Sequence, residues 1–194
     1  MLTKQLFFFT FIVLLFSCNN KKPENMSKKD KAIFLHHSTG TTGLIIWKHC
    51  YPVSDISEDI GSPDIEAEEH RLENYKLQYE ALKEKMLEFP ETKFLVWTGA
   101  THAEVNTTEE KAKRMKEFTN WVRNDWDKKG DNIFLWDFYE LETEGGLYLK
   151  DEHMLREGDS HPNRPFAESL IPMFGKRIVD VFTNKADDSD ITGK

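Results

Sequence analysis

Ser38, Asp159 and His161 have the residue types and settings of an acyl-transfer site. Ser38 follows the apolar run 32–37 directly and stands in Ser-Thr-Gly-Thr-Thr-Gly. Small residues there let backbone N–H groups face an incoming carbonyl, which makes the loop a natural seat for a nucleophile. Far along the chain, GDSHPN at 158–163 supplies His161 as a base and Asp159, two residues earlier, as the acid that orients an imidazole. The same residues also suit plain turns, with Asn163 as a helix cap. GDSHPN contains a literal Gly-Asp-Ser, so Ser160 competes for the role of nucleophile. Ser160 does not follow a strand, however, and adjacent Ser160 and His161 side chains align poorly as nucleophile and base.

Elements that would position these groups alternate between strand and helix. Apolar runs at 32–37, 44–47, 93–97 and 132–136 lack polar alternation, which suits strands covered on both faces, and therefore a parallel sheet. Between the second and third runs, Leu72, Tyr75, Tyr79, Leu82, Met86 and Phe89 recur at helical spacing until Pro90. Thr107 and Glu110 predict a capping box for a second helix with Ala112, Met115, Phe118, Val122 and Trp126 on its apolar stripe. A last helix is expected over about 165–182, kinked or split at Pro172 and Gly175. The pattern predicts an α/β fold. In an open sheet of that kind, reactive groups collect beyond the carboxyl ends of the strands, where His161 and Ser38 would meet. One junction resists this scheme. Only 38–43 separate the first two runs, and a parallel crossover needs a dozen or more residues, so the two pair antiparallel or a helical segment is missing.

The first eighteen residues carry one lysine, an apolar run at 6–16 and then Ser17-Cys18, the layout of a secretory signal. The run is too short to span a bilayer. Leu-Phe-Ser-Cys at 15–18 resembles a bacterial lipobox, which implies acylation at Cys18 and a membrane lipid anchor outside the cytoplasm, in the periplasm or at the bacterial outer membrane. Residues 19–31 read as a flexible tether, 32–183 as the folded domain and 184–194 as a frayed, disordered tail. The net charge of −8 becomes one unit more negative once Lys4 leaves with the signal. This acidity argues against nucleic acid as a partner. With two cysteines, one of them at the lipidation site, no disulfide framework is available and the fold must rest on packing.

HHSTG after the first strand and DSHPN before the last helix resemble the first and last motif blocks of the SGNH/GDSL hydrolases, a family of serine esterases and lipases. The stretches 72–100 and 132–141 are similar to that family's central helix and strand and its last strand. The resemblance implies a flavodoxin-like three-layer fold with a short, mostly parallel sheet. It also implies Ser38 as nucleophile, His161 as general base and Asp159 as acid. It needs no cofactor, and its substrate would be a small-molecule or carbohydrate ester, such as an O-acetylated sugar. Departures accompany it. The acid and base are spaced D-x-H where the family has D-x-x-H, which leaves Asp159, or Glu157 one turn away. The family's oxyanion blocks have no clear copy. Gly40, and Cys50 and Ser54 in the stretch 48–54 where the family places Gly-x-Asn, are the candidate oxyanion or substrate contacts.

Two further readings compete. His36, His37, His49, His153 and His161 could gather at one sheet edge as metal ligands. They lack H-E-x-x-H or H-x-H spacing, and neighbours on a strand point apart, so no metal is assigned. From another class, a non-catalytic surface lipoprotein would keep the fold as a binding module. The missing oxyanion blocks favour it, and the presence of both Ser38 and His161 opposes it.

Overall fold

A computed structural model describes the backbone of residues 35–39 and 42–194, with side chains from residue 43 onward. The signal segment with Cys18, the tether 19–31 and Gly40 lie outside the described residues. The described residues belong to one compact unit.

Four strands, β1 (Leu35–Thr39), β2 (Thr42–Trp47), β3 (Thr92–Trp97) and β4 (Ile133–Trp136), form one sheet in the order β1-β2-β3-β4. β2, β3 and β4 are parallel, whereas β1 turns back antiparallel on β2, with Ser38 opposite Gly43. The short link therefore resolves as a hairpin, which needs no crossover. The α/β pattern stands as a three-layer arrangement around a short parallel sheet.

Each parallel strand is apolar on both faces because each face has its own cover. Ile45, Trp47, Phe94, Val96, Ile133 and Leu135 face α1 (Leu72–Leu87) and α2 (Glu109–Trp121). The alternate residues, Leu44, Ile46, Leu95, Trp97, Phe134 and Trp136, face α3 (Phe138–Thr143) and α4 (Arg164–Phe182). A strand side-chain period of two makes this division unavoidable once both sides are covered.

Several expectations are corrected. α2 is capped by Thr108, whose hydroxyl accepts from Lys111 N, while the Thr107 hydroxyl donates to Asp55. Asp137 ends the fourth strand by capping α3, which periodicity did not reveal because only six residues form it. α4 runs unbroken through Pro172. That proline lies on the exposed side, so the carbonyl it leaves unpaired can be met by water. Residues 184–194, expected to fray, are packed instead. Trp136 Nε1 donates to Thr192 O at 2.9 Å, Arg177 Nη1 donates to Ala186 O at 2.7 Å, and Asp137 N donates to Ile191 O at 2.9 Å. Polar composition hid this anchoring because backbone carbonyls do it. Among the described residues, no helix is long and apolar enough to cross a membrane.

Candidate functional site

Three loops meet beyond the carboxyl ends of β2, β3 and β4. His161 sits on a small hairpin in which Met154 pairs antiparallel with Pro162, Leu155 N donates to His161 O at 2.8 Å and Asn163 N donates to His153 O at 2.6 Å. The tip closes through Asp159 N to Arg156 O at 2.9 Å, with Gly158 at a φ of 71°. That left-handed conformation favours glycine, which accounts for Gly158 in the motif.

Asp159 and His161 form a tight pair. One carboxylate oxygen, Oδ1, accepts from His161 Nδ1 at 2.7 Å and from His161 N at 3.0 Å, and Arg156 lies 3.1 Å from the other. Hydrogen bonds from His161, with Arg156 adding charge, hold the Asp159 carboxyl below the usual carboxylate range. An ionised Oδ1 accepts, so Nδ1 carries the imidazole proton and Nε2 is left as the basic nitrogen. The His161 side chain is 37% exposed while Asp159 is 8% exposed. This is an oriented base open to solvent over a sheltered acid.

Ser160, between them, faces the other way. It is buried, and its Oγ accepts from Ala103 N and from Asn106 Nδ2, both at 3.0 Å. With both lone pairs taken, its hydroxyl proton is directed to His102 Nδ1, 3.4 Å away. The His102 proton then belongs on Nε2, a buried atom without a hydrogen-bond partner, 3.9 Å from Asp55 Oδ1. Asp55 is held by Thr107 and by Lys111 at 2.9 Å. Burial pushes the His102 imidazole down, Asp55 pulls it up and Lys111 presses it down again, with a net lowering. The Tyr51 ring lies edge-on to both imidazoles, 4.9 Å from His161 and 5.3 Å from His102.

Ser38 does not join them in this structure. The antiparallel hairpin sets its backbone opposite Gly43, which in turn pairs with Thr92 at the amino ends of the parallel strands. Four residues of β2, about 13 Å of strand, separate that point from the edge where the loops gather. The expectation that topology brings Ser38 and His161 to one edge assumed a parallel first strand, and the hairpin removes that premise. Cys50 is exposed and lies just before Tyr51. Ser54 is buried and donates its hydroxyl to Ala100 O in the loop after β3, so that proton is committed between the two loops. Glu157 is exposed at the hairpin tip.

Of the histidines considered as metal ligands, the side chains of His36 and His37 lie outside the described residues, and His49, His153 and His161 go to separate places. His49 packs among Trp47, Tyr75 and Tyr79, and His153 stacks on Phe166 at 3.8 Å. His153 has Glu144 and Glu152 near it, their donor atoms within 4.8 Å of one another, but both acids are exposed and Lys150 Nζ lies 3.7 Å from Glu144. Glu142, which the sequence did not single out, is fully buried. Its Oε2 accepts from Thr101 N at 2.9 Å, its Oε1 has no partner, and burial pushes its carboxyl up to about 8 against the opposing pulls of the Thr101 hydrogen bond and Lys48. The only sequence signal for His102 was its place in the loop just after β3. No family model, curated protein or solved structure matches the chain.

Proposed function

We propose that the chain is an ester hydrolase in which His161, oriented by Asp159, moves the proton. The observation that carries this reading is the 2.7 Å Nδ1 to Oδ1 bond beneath an imidazole that stays open to solvent. His161 Nε2 takes the proton of the attacking hydroxyl as the C–O bond forms, and returns it to the alcohol oxygen as the ester bond breaks. Water then releases the acid by the same route. The HHSTG and DSHPN resemblance to SGNH/GDSL enzymes, with their flavodoxin-like fold, supports Ser38 as the nucleophile. Since Ser38 pairs opposite Gly43, its use requires β1 to leave the hairpin. A lipobox at Cys18 supports an extracytoplasmic, lipid-anchored site of action. Replacing Cys18 by serine should abolish palmitate incorporation, and equal labelling would remove the anchor from the reading.

A fluorophosphonate probe on the soluble domain tests the reading directly. It should label Ser38, and labelling should disappear in Ser38→Ala and nearly so in His161→Ala. Crosslinking the hairpin through His36→Cys with Ile45→Cys, residues directly opposite, should block labelling until the disulfide is reduced. The second reading, a binding module without turnover, is favoured by the same hairpin. It prevails if the folded domain neither reacts with the probe nor hydrolyses p-nitrophenyl acetate.

A further inference from the structure

We infer that α4 rests its outer face on a phospholipid bilayer, so that the folded domain lies on the membrane to which its lipid anchor ties it. This rests on the lipobox reading of Cys18 and is independent of the acid–base chemistry at His161.

A helix at the surface of a domain buries one apolar side and turns a polar one to water. α4 is apolar on both. Its inner side, with Phe166, Leu170 and Val181, packs into the core under the sheet. On its outer side Ile171, Gly175, Val179 and Phe182 follow at steps of four, four and three residues, which sets them in one row along the helix. Ile171 is 55%, Val179 57% and Phe182 43% exposed, and a Cβ placed on Gly175 would meet open space. Pro172 is exposed beside them. The charged residues of this segment, Lys176, Arg177 and Asp180, fall on other sides of the helix, and Lys176 pairs with Asp180 at 3.1 Å. At the start of α4, Arg164 and Glu168 neutralise each other at 2.7 Å. On a chain of net charge −8, this face meets lipid without stripping water from an unpaired charge.

Two occupants compete for it. From 171 to 182 the row is about 17 Å long on a helix about 10 Å across, a footprint of about 200 Å². A stable dimer buries about 800 Å² per partner, so a second copy would be held weakly. A bilayer needs no such area, because the anchor supplies the proximity. Cys18 lies seventeen residues before Leu35, the start of β1, a reach of at most about 60 Å. An acyl group there keeps the domain within that distance of lipid, and at so high an effective concentration a weak partition becomes persistent. The row then lies flat at headgroup depth, where the Glu168 carbonyl that Pro172 leaves unpaired still meets water.

The test places the full chain in phosphatidylcholine vesicles that carry a doxyl quencher on the acyl chain. In a Cys50→Ser background, bimane is attached through Val179→Cys in the row, or through Glu117→Cys on α2 in the opposite layer. Quenching should be strong at 179 and weak at 117. A large apolar side chain half withdrawn from water contributes about fivefold, so Ile171→Gln with Phe182→Gln should lower the docked-to-free ratio about 25-fold. Quenching at 179 should then fall to that at 117, while the melting temperature stays near the parent's because glutamine suits an exposed helix position. Equal quenching at the two positions in the parent overturns the docking while the anchor stands, as does quenching at 179 that survives both substitutions. Weak quenching at 179 joined to crosslinking between Val179→Cys chains gives the face to a second copy instead. Bimane uptake by the Cys50→Ser parent itself marks a free Cys18 thiol, which removes the anchor and the docking that rests on it.

Discussion

Tyr51 has an imidazole on each of two sides, and the two are built for opposite ends. His161 has a carboxylate 2.7 Å from Nδ1 and solvent on its far side. His102 has a serine hydroxyl 3.4 Å from Nδ1, a carboxylate 3.9 Å from Nε2 and almost no solvent. Both neighbourhoods contain Ser, His and Asp, so residue type alone does not separate them. Access and lone-pair occupancy do. Ser160 has given both lone pairs to N–H donors and is shut away from any substrate, which leaves it an anchor for the loop that carries Asp159 and His161.

The largest effects should come from breaking the exposed pair. Removing the base in His161→Ala should lower kcat by about 10²–10⁴ with little change in melting temperature. In Asp159→Asn the acceptor-only carboxylate becomes an amide that can also donate to Nδ1, so the tautomer is no longer fixed, and a large fall in kcat with KM nearly unchanged is expected. Comparable losses from His102→Gln, measured on a domain of unchanged stability, would erase the distinction drawn between the two imidazoles.

Breaking the buried line should cost stability in place of chemistry. Ser160→Ala strands Ala103 N–H and Asn106 and should lower the unfolding free energy by about 1–3 kcal/mol in urea titrations, with fluorophosphonate labelling retained. If the probe instead moves to Ser160 in the parent protein, the anchor assignment is wrong. Because burial lowers the His102 pKa, the unfolded chain binds its proton more readily below pH 6.5. Stability from this group is present above that pH and is lost as pH falls towards the folded value. Glu142 has the opposite sign. Its folded carboxyl holds a proton up to about pH 8, so its contribution is full below the ordinary glutamate range and declines as pH rises from about 4.5 to about 8. Glu142→Gln should flatten that decline and raise the urea midpoint at pH 8 more than at pH 5. Smallest of all, Arg156→Ala should shift stability by no more than about 0.5 kcal/mol, since that side chain is 79% exposed.

The sequence made the periodic parts of the fold legible. β3 and β4 announce themselves as apolar runs and α1 and α4 through three- and four-residue steps, while the link too short for a crossover left the hairpin as one of two arrangements. α3 was hidden because its six residues continue an apolar run that read as strand, and the packed tail because its anchors are carbonyls. In the site, Asp159 and His161 were legible from adjacency in a turn-forming motif. The burial of Ser160 was not, since it depends on Ala103 and Asn106, more than fifty residues away. Tyr51, Asp55 and Glu142 carried no spacing signal at all. The edge to which Ser38 belongs turned on the direction of one strand, which composition does not encode.

The tryptophans ending β3 and β4 have an optical consequence. Trp97 and Trp136 sit opposite each other in the sheet, with ring centroids 4.3 Å apart and planes at 77°. Indoles so close and so inclined couple their electronic transitions, and the pair should give the domain a strong, asymmetric circular-dichroism couplet. Trp136 also holds the carbonyl of Thr192, so the couplet reports on the docking of the last residues as well as on the sheet. A titration that loosens the tail before the core should therefore dim this signal while the peptide bands at shorter wavelength remain.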